Sequence, residues 1–304
     1  MSFMLGFRLG YKLVFSIVIL FTFSLFADSV LFADDLRAYR VFDNEGDEVD
    51  FDDIMEKALE SDLVLFGEHH TNPICHWLQL EIVKKLHEGK NGNIILGSEI
   101  FESDDQVIID EYMDSLYSYK RFKGEMKLWG NFVTDYKPIF DFAFDNNIKF
   151  VATNIPRRYA SLVANKGYDA LDSLSEEAKS FIAPPPFVID TALKGYSDMA
   201  KMFGPEMSHK ANYMMKAQAI KDQTMAHNII LNLEDNKTFF HINGTYHNQN
   251  YEGIVWYVKQ KLNEIKIASI VTVVQKNVDE LEEKNIGMGD FIIVVPDNMT
   301  QTNR

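Results

Sequence analysis

The sequence predicts an α/β fold built on a largely parallel sheet. Three observations carry that expectation. Apolar runs of strand length (residues 63–66, 94–97 and 148–152) alternate with stretches of helical period (51–59, 73–86, 104–116 and 138–144). Each run gives way at once to polar residues: Glu68 after Gly67, Ser98 and Glu99 after Gly97, Thr153 and Asn154 after Ala152. In open α/β sheets the carboxyl ends of the strands are where ligands bind, so chemistry-bearing side chains are expected there.

The chain has 304 residues, 46% of them hydrophobic, enough for one large domain or two smaller ones. Its net charge is −15, and no basic cluster of the kind nucleic acid requires occurs. The acidic balance also disfavours anionic lipid. Residues 1–33 differ from the rest. Arg8 and Lys12 precede an uncharged apolar run over residues 13–26, whose length suits a signal-peptide core better than a membrane span. Ala27 and Ala33, each followed by Asp, are candidate cleavage points. Leu25 and Leu31 precede them where small residues are usual, which leaves an uncleaved N-terminal membrane anchor open. The expectation is an exported protein of the periplasm or cell envelope: residues 1–33 as signal peptide or anchor, residues 34–304 as the α/β domain. The sole cysteine is Cys75, so no lipid anchor through cysteine and no internal disulfide are expected. Cys75 reads as a packing residue, with ligand and nucleophile as alternatives.

Residues 34–48 are polar and read as a lead-in. The first strand, 63–66, ends in Gly67-Glu68-His69-His70, and Asn72 before Pro73 fits a helix cap with proline at the first turn. His76 follows, so three histidines and a glutamate fall within nine residues. Residues 129–136 are aromatic and irregular. Residues 159–233 carry no strand signal and read as a helical insertion over the strand ends; its longest helix spans 207–233 and includes His209, Gln218 and Asp222. A fourth strand, 238–242, leads into Gly244-Thr245-Tyr246-His247. A helix over 253–262 and strands at 267–274 and 291–295 complete the chain.

Two turns thus share the pattern Gly-x-x-His directly after a buried strand. Glycine admits backbone paths that other residues resist. If the two strands are neighbours, His70 and His247 face one cavity, with Glu99 supplying a carboxylate. Two imidazoles and a carboxylate suit a divalent metal such as Mn, Co or Zn, with Glu68 as general base or further ligand. The alternative is a set of histidines satisfied by hydrogen bonds.

The segments LFGEHHTNPICHWLQL, LGSEIFESDDQ, YKPIFDFA, VATNIPRR, AQAIKDQTMAHNI and HINGTYHNQNYEGI, in that order from Leu65 to Ile254, resemble the ChaN family of haem-binding uptake proteins, in the Tiki, TraB and erythromycin-esterase superfamily. The resemblance implies a three-layer α/β/α sandwich and places Glu68, His70, Glu99 and His247 at superfamily active-site positions. Tiki-like members use a divalent metal there to hydrolyse peptides; ChaN-like members bind haem for iron uptake. Haem needs an apolar pocket and an axial ligand. The Met- and aromatic-rich stretch 196–225 offers Tyr196, His209 and Tyr213; Asn154, His76, Gln218 and Asp222 complete the expected pocket, and Arg157 and Arg158 suit the propionates. Haem binding in the envelope is the first expectation. A metal-dependent peptide or ester hydrolase is the alternative, and a homodimer is left open.

Overall fold

Every residue of β3 (Leu63–Glu68) is buried. A strand has two faces, so total burial requires cover on both sides. Val64 and Phe66 pack with Ile82, Leu86 and Phe140, whereas Leu63 and Leu65 pack with Met225, Ile229 and Val258. The molecule is therefore an α/β sandwich with helices on either face of one sheet. The computed structural model describes residues 37–202 and 208–303; the stretch read as signal peptide or anchor lies outside them. Residues 39–304 form one compact unit. Among the described residues, no helix is long and apolar enough to cross a membrane.

The sheet has eight strands in the order β2-β1-β8-β7-β3-β6-β4-β5. These are β1 (Arg40–Asp43), β2 (Glu48–Val49), β4 (Ile94–Glu102), β5 (Phe150–Asn154), β6 (Thr238–Gly244), β7 (Ile267–Gln275) and β8 (Phe291–Pro296). From β8 to β5 every neighbouring pair is parallel. At one edge β1 pairs antiparallel with both β8 and β2. Strands β1 and β2 correct the reading of residues 34–48 as a lead-in: four and two residues are too short to show an alternating pattern.

One face carries α1 (Phe51–Leu59), α2 (Pro73–Gly89) and α5 (Lys137–Asp145). Asn72 caps α2 by accepting from the Ile74 N–H at 2.9 Å, with Pro73 in the first turn, as its sequence predicts. Buried Cys75 lies on the inner side of α2, where burial pushes its thiol up to about 12, so it packs rather than reacts at neutral pH. The helix expected over 104–116 is instead a 3-10 turn, Ser103–Asp105, followed by α3 (Gln106–Met113), which Ser115 ends in a left-handed conformation. A short helix that the sequence did not suggest, α4 (Tyr119–Glu125), follows.

Between β5 and β6 the described chain forms α6 (Arg157–Lys166), a 3-10 segment (Tyr168–Ser173), α7 (Glu176–Ser180), α8 (Lys194–Met202) and α9 (Ser208–Asn232). The later part of α9 packs on the second face of the sheet beside α10 (Ile254–Lys261). Earlier in α9, Ala217 and Ile220 pack with Ala160 and Val163 of α6. This long helix is thus a layer of the sandwich and also reaches the strand ends.

Candidate functional site

Strand order assembles the site. In register, Glu68 of β3 lies opposite Gly244 of β6, and Ser98 of β4 lies opposite Ile242 of β6. Glu68, Glu99 and the turn carrying His247 therefore emerge at one end of three adjacent parallel strands, where ligands bind in this architecture.

Glu68 is 3% exposed and anchors the first group. One carboxylate oxygen accepts from the Tyr136 hydroxyl and lies 2.9 Å from His70 Nδ1. The other accepts from the Gln79 amide and lies 3.3 Å from His76 Nδ1. Burial alone would raise its pKa; the His76 and His70 imidazoles and the Gln79 amide outweigh that and hold it below the usual carboxylate range. Asp135 extends the group: His76 Nε2 is 3.4 Å from Asp135 Oδ2, which also accepts from Asn131 at 2.6 Å. Asn131 donates 2.7 Å to the His70 carbonyl as well. A π-helical turn, Phe132–Tyr136, supplies both Asp135 and Tyr136.

The second group centres on His247, in a 3-10 turn (Thr245–His247) after β6. Its Nδ1 contacts Asp222 of α9 and its Nε2 lies 3.3 Å from Glu99 Oε1. Glu99 Oε2 accepts the Gly244 N–H at 2.8 Å, and the Glu99 carbonyl accepts from Asn154 at 3.0 Å. Gln218 stands 3.1 Å from His247 Nδ1. Burial would make His247 harder to protonate, but the Glu99 and Asp222 carboxylates raise it to about 10. The same pairing outweighs burial at Glu99 and holds that carboxylate well below its ordinary range.

The two groups meet at Gly244. A Cβ there would sit 3.1 Å from the His70 ring and 3.6 Å from Glu99 Oε2, so His70, Glu99 and the His247 turn converge at one place. The His70 ring, its side chain 24% exposed, packs edge-on against Trp129 at 4.8 Å. Neither Gly67 nor Gly244 has a positive φ. Close approach rather than backbone freedom explains them, a correction to the sequence argument: a Cβ on Gly67 would lie 2.8 Å from the Thr245 Cα, whereas one on Gly244 meets only side chains. His241, three residues before Gly244 on β6, is a satisfied core imidazole between Thr153 and Asn243, pushed down to about 4 by burial.

The expected metal set of His70, Glu99 and His247 is not found. Among the described residues, no group of three His, Cys, Asp or Glu side chains has the geometry to hold a metal ion. The donor chemistry explains this. A ligating imidazole needs a free lone pair, whereas both nitrogens of His247 face carboxylates, Asp222 at Nδ1 and Glu99 at Nε2. The residues converge as an ion-pair and hydrogen-bond network.

The candidate haem ligands separate into two environments. Tyr196 is buried and its hydroxyl donates to Asp222 Oδ2 at 2.6 Å, so in this arrangement it buttresses His247 and is no accessible ligand. His209 is exposed and Tyr213 half-buried on α9, their rings 4.4 Å apart. Arg157 is exposed and lines a polar cleft of about 930 Å³ with Trp129 and Lys221; Arg158 in the same cleft pairs with Asp104 at 2.6 Å. Gln79, Asn131, Asp135 and Tyr136 were missed by the sequence reading. Gln79 was legible, as a polar residue one turn from His76 on the apolar inner side of α2. The others lie in the irregular aromatic stretch, which has no period to read.

Residues 54–258 match the profile of the family described as haem-binding uptake, Tiki superfamily, ChaN. Among solved structures, ChaN of Campylobacter jejuni, described as binding haem cofacially, is similar with a TM-score of 0.64 and 16% identity; 84% of this chain and 96% of that one are covered. A Bacillus cereus protein has a TM-score of 0.47 at 11% identity, covering 82% and 92% of the two chains. An erythromycin esterase mutant in its open conformation has a TM-score of 0.44 at 11% identity, covering 78% and 77%. No curated protein matches the chain in sequence.

Proposed function

Because the chain belongs to the haem-binding uptake family ChaN of the Tiki superfamily, we propose that it binds haem on the face of α9 that carries His209 and Tyr213, as an iron-uptake protein of the cell envelope. The observation that carries the reading is the accessible aromatic pair, one helical turn apart with rings 4.4 Å from each other. A phenol or an imidazole is a recognised axial donor for haem iron. The residues present fit the group. Lys216 lies 5.7 Å from the Tyr213 ring, and Lys210 is exposed beside His209, so cations for the propionates stand on the same helix. Met214, 37% exposed, adds apolar surface. Tyr213 would hold haem bound there, which would supply its iron, and the protein would supply orientation and charge. The apolar run of residues 13–26 behind Arg8 and Lys12 supports placement in the envelope. The hydrolase alternative is less favoured, because both nitrogens of His247, which it would need as a metal ligand, already face carboxylates.

The test is a haem titration of the purified chain followed in the Soret band. The parent is expected to take up haem with a saturable spectrum, and Tyr213→Phe to bind at least about tenfold more weakly, or about 1.4 kcal/mol. Equal binding by parent and variant, or no uptake by the parent, overturns the reading.

A further inference from the structure

A second region has the features a haem-class ligand needs and no part in the sites above. An apolar cavity of about 450 Å³ lies between α9, α10 and the proline segment that follows α7. Pro184, Pro185 and Pro186 form one wall and present no backbone N–H. Ile230 and Trp256 also line it. His227 lines this cavity and also a second of about 590 Å³, which share Ala183, Pro184 and Pro185.

We propose that His227 is the axial donor of a second haem site, seated in this cavity and separate from the Tyr213 face. The ligand class rests on the family reading; the site rests on its own geometry. The His227 side chain is half-buried, and among the described residues no side-chain hydrogen bond or ion pair involves it, so its ring stands open to a ligand in the cavity. Burial, with Lys261 nearby, lowers its pKa, so the ring is neutral and its lone pair free at pH 7. The cavity holds a second unmet group. Gln223 donates its amide to the Pro186 carbonyl at 3.1 Å, but its Oε1 is buried without a partner. The volume falls within the roughly 300–1,000 Å³ of ordinary ligand sites, and the lining joins apolar walls to a few polar groups, as such sites do. Gln260 and Lys261 complete the lining, with Lys261 a match for a propionate.

The experiment is a haem titration of the full chain, read by stoichiometry and visible spectrum, for the parent, His227→Ala, Ile230→Trp and Tyr213→Phe. Ile230→Trp fills the cavity and leaves His227 in place. The parent is expected to bind two equivalents. His227→Ala and Ile230→Trp should each lose one, with the histidine-ligated part of the spectrum, and free imidazole should restore that spectrum in His227→Ala. Circular dichroism should show both variants folded. Should Tyr213→Phe retain both equivalents while His227→Ala loses one, the α9-face reading fails and this one stands. A parent binding one equivalent that only Tyr213→Phe removes overturns the proposal. So does uptake that is the same in all four proteins, or a His227→Ala variant that keeps both equivalents.

Discussion

The strand-end cluster and the exposed face of α9 use the same side-chain types to opposite ends. In the cluster, Glu68, Glu99, Asp222, His76 and His247 are all buried, and each faces an opposite charge or a hydrogen-bond donor. On α9, exposed His209 meets the ring of half-buried Tyr213, which also lies against Gly167 and Lys216, and neither faces a carboxylate among the contacts of the described residues. A functional group that is fully paired inside the protein holds the fold in place; one that stands accessible is available to a ligand. The largest effect that tests this contrast comes from Asp222→Ala. It removes one of the two carboxylates on His247 and the acceptor of the Tyr196 hydroxyl. Breaking a buried pair in this way costs about 3–5 kcal/mol. The denaturant midpoint should fall with an unchanged slope, and haem uptake on α9 should persist. A loss below about 1 kcal/mol, the range of exposed pairs, would break the contrast.

The pH dependence of stability sharpens it. His247 is raised from 6.5 to about 10 in the folded protein, so its contribution is full below pH 6.5 and fades as the pH climbs towards 10. Glu99 is lowered from 4.5, so its contribution is full above that value and fades as the pH falls below it. Both act fully between about pH 4.5 and 6.5. Thermal unfolding of the parent should therefore peak in that window and decline towards pH 10. In His247→Gln the alkaline decline should flatten. An equal decline in both proteins would show that other groups set the slope.

A smaller effect separates the twin Gly-x-x-His turns. Gly67→Ala drives a Cβ to 2.8 Å from the Thr245 backbone and 2.4 Å from Asn248 Oδ1, where β3 and the His247 turn must both stay fixed. Overpacking of this kind costs about 1–3 kcal/mol. Gly244→Ala instead meets the His70 ring at 3.1 Å, and that side chain is partly exposed and can yield by a few tenths of an ångström. Its cost should be less than about 1 kcal/mol, with a changed environment for Trp129 detectable in fluorescence. If the two variants are equally stable, the turns are interchangeable and the asymmetry is wrong.

How much of this was legible in the sequence follows from what each feature depends on. The parallel sheet was readable because buried strands and amphipathic helices leave periods in the chain, and β3, β4 and β6 stand where the apolar runs are. The convergence of His70, Glu99 and His247 was readable because it needs only adjacent strand ends. Their pairing was not, since it depends on Asp222 arriving from a helix twenty-five residues earlier in the chain. The role of Tyr196 was hidden for the same reason: a tyrosine on a Met-rich helix looks like a ligand until the acceptor for its hydroxyl is known. His227 carried a weak signal of its own, because a half-buried histidine without a partner looks in sequence like any other residue on the long helix.

The smallest expected effect concerns His209, which stands beside Tyr213 as either a ligand or a positioning residue. The rings are 4.4 Å apart at 49°, a tilted contact. Aromatic pairs of this kind contribute about 0.5–1.5 kcal/mol beyond area burial. If His209 only steadies the Tyr213 ring, His209→Ala should weaken haem binding by about twofold to tenfold and leave the Soret position where the parent has it, because the phenolate ligand is unchanged. Stability should move by no more than about 0.5 kcal/mol, since the side chain is exposed. His209→Phe, which keeps a ring but no donor nitrogen, should restore most of the affinity. A shifted Soret band in His209→Ala, without rescue by Phe, makes the imidazole an iron ligand, and the face of α9 would then hold haem through both residues.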